Sequence, residues 1–338
     1  MIGPRLLKGG GGISFGELDM KTTLIIDGDI LAFRCAAASE KRSVKATHKT
    51  TGQVIECPHR TALKEQIKDA FELDEFDILD IRTPDDISHA YNAINTCVDA
   101  WMQTCMADGY EIYISGDNNF RDFLPLPSKY KGSRDELERP VLLKECRAYL
   151  VKRHKAEVIH GREVDDHLAQ RAYEGNKERV KNIVVSLDKD SYGVDSWLYN
   201  WTKMKQPERI KGLGEIELDD KNKLRGKGRK WFYAQWVMGD PVDCFKPCEI
   251  VGKKFGDTGC YNLLKDCTTD KECVEAVYKQ YKSWYPSPVT YKAWDGTEHT
   301  MSAIDLMDLY AACAWMQRWD GDVLDSREIM NKLGVAYD

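Results

Sequence analysis

An α/β fold, built on a parallel central sheet flanked by helices and followed by a largely helical C-terminal part, is what this sequence predicts. Three observations carry that expectation. Short apolar runs at 22–26 (TTLII), Glu111 to Ser115 and Ile183 to Leu187 read as buried parallel strands. Between the first two lies a long helical pattern, and the strand–helix–strand order implies a right-handed crossover. After Lys230 the texture turns helical: Trp231 to Met238, Cys260 to Leu264, Lys271 to Trp284 and Ser302 to Trp319.

Taken in order, Asp27-Gly28-Asp29 makes a turn after the first strand, and Ile30 to Ala38 resume with helical spacing. Residues 41–59 read as a hairpin or irregular insertion around Thr51-Gly52. Residues 87–106 place Ile87, Tyr91, Ile94, Val98, Trp101 and Cys105 on one helical face, and Gly109 ends the pattern. Residues 118–140 break it with polar, Pro and basic residues, which predicts a helical arch or loop over the neighbouring strand ends. Helices are expected at Leu142 to Val151 and Val164 to Tyr173, a short strand at Val158-Ile159, and an edge strand around Trp197 to Tyr199. Asp295-Gly296 is a hairpin signal inside Tyr291 to Thr300. The expected division is 20–230 as the α/β unit and 231–338 as a helical region packed on it. Residues 1–19, with the run Gly9 to Gly12, read as a disordered tail or upstream extension.

The 338 residues suffice for a full core, with 42% hydrophobic and 31% charged content. Nothing approaches the roughly 18 apolar residues of a membrane span. Eleven scattered cysteines point to reduced thiols in a cytosol-like compartment. Cys244, Cys248, Cys260, Cys267 and Cys273 cluster without a paired C-x₂-C spacing, so free thiols are expected there. His48, Cys57 and His59 carry an equally weak metal signal. The net charge of −6 does not exclude a polyanionic partner, because local charge decides binding. Two basic stretches stand out, Lys129 to Arg139 and Lys221 to Lys230, the second readable as a solvated loop.

The acidic residues are more informative. Asp27 and Asp29, Asp117, the group Glu163, Asp165 and Asp166, then Asp188 and Asp190, and finally Asp240 and Asp243 form five clusters, four of them closing short apolar runs. Strands ending in carboxylates gather negative charge at one sheet edge, an arrangement that divalent cations stabilise. Many oxygen ligands without His or Cys suit Mg²⁺ or Mn²⁺ rather than zinc. The commonest use of such a site is phosphodiester hydrolysis, with metals activating water and steadying the leaving oxygen. In EVDD, Glu163 and Asp166 lie one helical turn apart, so both can face the strand ends while Asp165 points to a flank. A helix-start motif explains the same residues. Asp240 and Asp243 have the spacing of two side chains on one helical turn.

The ordered series I-I-D-G-D, S-G-D-x₁₂-Y-K-G-S-R, E-V-D-D, S-L-D-K-D and M-G-D-x-x-D resembles the 5′ nuclease family, most closely its phage 5′→3′ exonucleases and flap endonucleases, over roughly residues 22–270. That fold is PIN-like, with a helix–turn–helix-type DNA-binding region toward the C-terminus. The resemblance implies that Asp27, Asp117, Glu163, Asp165, Asp166, Asp188, Asp190, Asp240 and Asp243 hold two or more Mg²⁺ or Mn²⁺ ions, with Asp29 just behind them. It implies that Tyr130, Lys131 and Arg134 form a basic arch motif contacting the scissile phosphate, with Arg121 close by. Gly252, Lys253, Lys254 and Gly256 match loosely a loop that grips duplex backbone. A K⁺ in that hairpin is implied too, although Cys244 replaces the family's Asn and the glycine spacing is irregular.

The implied activity is 5′→3′ exonuclease with flap endonuclease capacity on duplex DNA ends, flaps or RNA–DNA hybrids, in phage DNA replication and the host cytoplasm. The implied partner is DNA and not a membrane; replication proteins are not readable. A PIN-like ribonuclease lacks a use for the arch motif and the Asp240/Asp243 pair. A non-catalytic relative would have lost one of Asp117, Glu163 or Asp188. A Mg²⁺-dependent phosphatase or phosphotransferase gives no reason for the basic arch.

Overall fold

The computed structural model describes residues 21–68, 70–134 and 138–338; the tail expected at 1–19 lies outside them. β1 (Thr22–Asp27) runs straight into α1 (Gly28–Ala38), because the Asp27 carboxylate accepts the Ile30 N–H at 3.0 Å and caps the helix. Gly28 is required at this junction: a Cβ there would lie 2.6 Å from Ile114 and 2.7 Å from the Tyr113 carbonyl.

An insertion follows, with β2 (Glu40–His48), β3 (Val54–Cys57), α2 (Arg60–Ile67) and β4 (Phe76–Pro84). The expected hairpin around Thr51-Gly52 is β2–β3, and the antiparallel sheet order is β3-β2-β4. β4 was not expected. Its DILDIR run is charged and largely exposed, so it shows no strand-like apolar stretch. The weak metal candidates hold turns instead. The His48 ring accepts from Thr50 and Thr51, His59 caps α2, and the Cys57 thiol donates to Gln66.

The main sheet is completed by α3 (Ile87–Cys105), β5 (Gly109–Ser115), α4 (Leu143–His154), β6 (Glu157–Ile159), α5 (Val164–Glu178), β7 (Lys181–Val185), β8 (Ser196–Tyr199) and β9 (Glu208–Ile210). Its order is β6-β5-β1-β7-β8-β9, parallel throughout except for β9. β8, expected at the edge, is therefore covered by β9. A core of Leu24, Ile25, Ile26, Ile94, Val98 and Val184, among others, lies between sheet and helices. β1, β5 and β7 end side by side, which brings their following loops to one edge.

The remainder is a short hairpin, β10 (Glu215–Leu218) and β11 (Leu224–Lys227), then α6 (Arg229–Met238), α7 (Asp257–Leu264), α8 (Asp270–Trp284), the hairpin β12 (Val289–Lys292) and β13 (Glu298–Met301), α9 (Ala303–Ala314) and α10 (Ser326–Leu333). These pack a second core around Trp236, Tyr281 and Tyr310, which also takes Leu126, Tyr130, Ile216 and Leu224 from earlier in the chain. Cys248, Cys260 and Cys273 are buried within it, and all eleven cysteines are free thiols. The helix expected to reach Trp319 stops at Ala314, because residues 315–322 fold back on Asp322, which accepts from the Trp315 indole and the Arg318 N–H. The basic stretch 221–230 is largely internally paired: Lys223 with Asp257, Arg225 with Asp219, Lys227 with Glu215 and Arg229 with Asp270. Among the described residues, no helix is long and apolar enough to cross a membrane.

Candidate functional site

Asp27 ends β1, Asp188 follows β7, and Asp165 opens α5, which packs across the sheet. Ser186 joins two of them, its hydroxyl donating to Asp27 at 3.2 Å and accepting the Asp188 N–H at 3.0 Å. β7 stops at Val185, two residues before the expected end, to make this turn. Burial pushes the Asp27 carboxyl up to about 7, helped by the charges of Asp29 and Asp188. Burial, then Asp188, Asp27 and Glu163, raises Asp165 well above the usual carboxylate range. One Asp165 oxygen, Oδ1, is buried without any hydrogen-bond partner.

A second acidic group adjoins the first. Asp190, Asp240 and Asp243 each bring a carboxylate oxygen within 4.8 Å of one another. Burial and the neighbouring Asp188 push Asp190 up to about 8. Asp240 and Asp243 do not share a helical turn as their spacing suggested. α6 has already ended at Gly239, whose φ is +78°, and a turn closed by paired Asp240–Phe245 backbone hydrogen bonds presents both carboxylates.

The arch motif reaches this second group. Lys131 pairs with Glu163 and lies 3.8 Å from Asp243, while Arg134 donates to Asp243 at 2.7 Å. Burial works against charge on Glu163, but Lys131 and Arg121 outweigh it and hold the carboxyl below its usual range. Tyr130 is only 2% exposed, and its hydroxyl lies 3.2 Å from both Glu163 and Asp243, so it ties two acids together and does not face a substrate.

Two other expectations are corrected. Arg121 does not reach solvent. Its guanidinium is fully buried, donates twice to Asp166, and donates to the carbonyls of Cys313 and Trp315. Asp166 accordingly faces that ion pair and the Glu163 N–H of a capping box, and it is Asp165 that faces Asp27 and Asp188. The helix phase is thus the reverse of the one expected. Asp117 is exposed beyond β5, where its N–H donates to the His160 ring at 3.1 Å. Asp29 stands behind Asp27 as expected, accepting from Ser115 N–H at 2.8 Å and pairing with Arg147. Gly252, Lys253, Lys254 and Gly256 lie exposed in the loop before α7.

Three residues escaped sequence reading. Lys189 lies 2.6 Å from Asp240, and Gln235 donates to Asp190. Gln235 left a signal, as the polar residue of the apolar run YAQWVM. Arg147, which also donates to the Ser115 carbonyl, left none.

The donor set fits hard divalent cations. It is all carboxylate oxygen, one buried oxygen lacks a partner, and cations among these acids would allow all of them to ionise. No family model and no curated protein matches the chain. Among solved structures it is similar to a T5 protein co-crystallised with metal ions (14% identity, TM-score 0.47, 93% of this chain and 97% of that one). It is also similar to a mutant T5 5′-exonuclease (12%, TM-score 0.46, 93% and 96%). A bacteriophage T5 flap endonuclease, in a pseudo-enzyme-product complex with DNA and metal ions, shares 13% identity at a TM-score of 0.47, over 93% of this chain and all 100% of that one. Likeness at this level is one of chain outline and assigns no residue its role.

Proposed function

We propose that this chain is a divalent-metal-dependent 5′→3′ exonuclease with structure-specific flap endonuclease capacity, hydrolysing phosphodiesters in duplex DNA or RNA–DNA hybrids. The observation that carries this reading is the meeting, at one sheet edge, of two adjoining acidic groups with Lys131 and Arg134 beside them. Asp27, Asp165 and Asp188 would hold one Mg²⁺ or Mn²⁺, and Asp190, Asp240 and Asp243 a second. Glu163 stands between them, and Asp117 lies at the rim. Such ions, when bound, supply Lewis-acid stabilisation of the attacking and departing oxygens.

The chain's own residues do the rest. Ser186 ties Asp27 to the Asp188 loop, and Asp29 holds the end of β5 and Arg147 beside them. Tyr130 and the Arg121–Asp166 pair hold the arch segment and the start of α5. Lys131 and Arg134, whose side chains are 20% and 42% exposed, orient the scissile phosphate and offset its developing charge. Lys253 and Lys254, with the amides of Gly252 and Gly256, grip backbone phosphates further along the duplex. Preference for 5′ ends and for DNA follows from the resemblance of the motif series, as does a role in phage DNA replication.

The test is cleavage of 5′- and 3′-labelled duplexes, with and without a 5′ flap, in Mg²⁺, by the wild type and by Asp188→Ala. Short 5′ products or released flaps, abolished by EDTA and by the substitution, are expected. Binding without cleavage in both Mg²⁺ and Mn²⁺ overturns the reading, and so does digestion of single-stranded RNA alone.

A further inference from the structure

Lys189 sits between the two acidic groups along the chain, and the reaction described above makes no use of it. Asp188, on one side, belongs to the first group, and Asp190, on the other, to the second. The backbone here is fixed. The Lys189 carbonyl accepts the Trp231 indole N–H at 3.0 Å and the Tyr192 N–H at 3.1 Å, and the Asp190 N–H donates to the Asp188 carboxylate at 2.8 Å. From this turn the Lys189 ammonium reaches Asp240, 2.6 Å away.

The oxygen it meets is one that an ion would need. The Asp240 side chain is only 3% exposed; its Oδ1 accepts the Val242 N–H at 2.9 Å, and Lys189 holds Oδ2. Mg²⁺ bonds carboxylate oxygens at about 2.0–2.1 Å, and an ammonium in contact with the same carboxylate repels it. The other two acids of this group are held differently. Asp243 is reached by Lys131 and Arg134, which the phosphate engages, and Asp190 accepts from Gln235, which carries no charge. Lys189 also has a way out, since its side chain is 44% exposed and its four-carbon stem is flexible. Breaking a half-exposed ion pair costs only about a five-fold factor in an equilibrium.

We propose that Lys189 competes with the second divalent cation for Asp240, and that binding of this ion turns the ammonium out toward solvent. The second ion therefore binds more weakly than the one held by Asp27, Asp165 and Asp188, because the competent arrangement of Asp240 must first be released. The proposal rests on the metal reading of the two acidic groups given above.

The test is calorimetric titration of the DNA-free protein with Mn²⁺, with unbound Mn²⁺ counted in parallel by electron paramagnetic resonance. The wild type is expected to show a tighter and a weaker class of site. Lys189→Met is expected to tighten the weaker class about five-fold or more and to leave the tighter class unchanged. Lys189→Arg, which keeps the charge, is expected to retain the wild-type affinities. In Asp240→Asn the weaker class is expected to be lost, and adding Lys189→Met is expected to change nothing further. A weaker class unmoved or weakened by Lys189→Met, or both classes shifted equally, overturns the competition; so does a wild type that binds no second ion. Two ions bound with Lys189-dependent affinity by a protein that cleaves no DNA overturn the nuclease reading and leave the competition standing.

Discussion

Asp27, Asp165 and Asp188 form no ion pair with any described residue, whereas Glu163, Asp240 and Asp243, a short distance away, are each matched by a cation of the chain. In this first set Asp27 is buried against like charges and held at about 7, Asp165 is raised well above the usual carboxylate range, and an Asp165 oxygen is left without a partner. In the second set Lys131, Arg134 and Lys189 supply the counter-charge. Glu163 is held below its usual range as a result, although burial still raises Asp243. The side-chain chemistry is the same in both places. What differs is whether compensation comes partly from the chain or has to come wholly from solution.

That contrast can be broken by exchanging the two kinds of group. Asp188→Ala is expected to lower cleavage by about a thousand-fold or more, since it removes a ligand no other residue replaces. Lys131→Ala is expected to cost roughly a hundred-fold, the scale of one lost charge-stabilising contact. Single-turnover rates on one flap substrate measure both, and equal losses would erase the distinction. Arg121→Met tests the structural member of the paired set. It strands Asp166 as a buried charge, and the expected loss is about 3–5 kcal/mol of folding stability, read by urea denaturation. A variant that kept full stability but lost activity would return Arg121 to the substrate.

The third test is metal itself. At a hundred times its Kd, Mg²⁺ is expected to stabilise the fold by about 2.7 kcal/mol, seen as a higher Tm than in EDTA. Asp165→Asn is expected to be more stable than the wild type in EDTA and to lose most of the Mg²⁺ response. The same response surviving in Asp165→Asn would mean that the deep set is not where the ion binds.

Much of the sheet was legible because β1, β7 and the Ile112–Ile114 part of β5 are buried and therefore read as short apolar runs. β4 was not, because DILDIR lies exposed on a small antiparallel sheet with no core to advertise. The order of the acidic motifs was legible for the same reason as the strands they close. Their geometry was less so. The capping box places the Asp166 carboxylate on the Glu163 N–H, which turns Asp165 toward the sheet, and counting residues per turn alone chose the opposite face. The left-handed Gly239 ends α6 before Asp240, so a spacing of three ceased to mean one helical turn. Arg121 is buried by carbonyls from Cys313 and Trp315, nearly two hundred residues away in sequence, and no local pattern signals that.

The most specific comparison separates the uncompensated acids, Asp27 and Asp190, from the paired Glu163 by sign. With metal removed, Asp27 titrates at about 7 in the fold against 3.8 for an unperturbed carboxyl, and Asp190 at about 8. Between those limits the folded state holds protons that the unfolded chain has released, so stability falls as pH rises from 3.8 through about 7 to 8. Glu163, held below its usual range by Lys131 and Arg121, contributes the opposite slope. In EDTA the urea midpoint is therefore expected to decline across this window, and Asp27→Asn to remove the Asp27 part of the decline. Saturating Mg²⁺ is expected to remove it, because a bound cation favours the ionised acids and binds more tightly as pH rises. A wild-type midpoint that rose steadily with pH in EDTA would show that Asp27 is compensated by the chain after all, and the difference between the two sets would disappear.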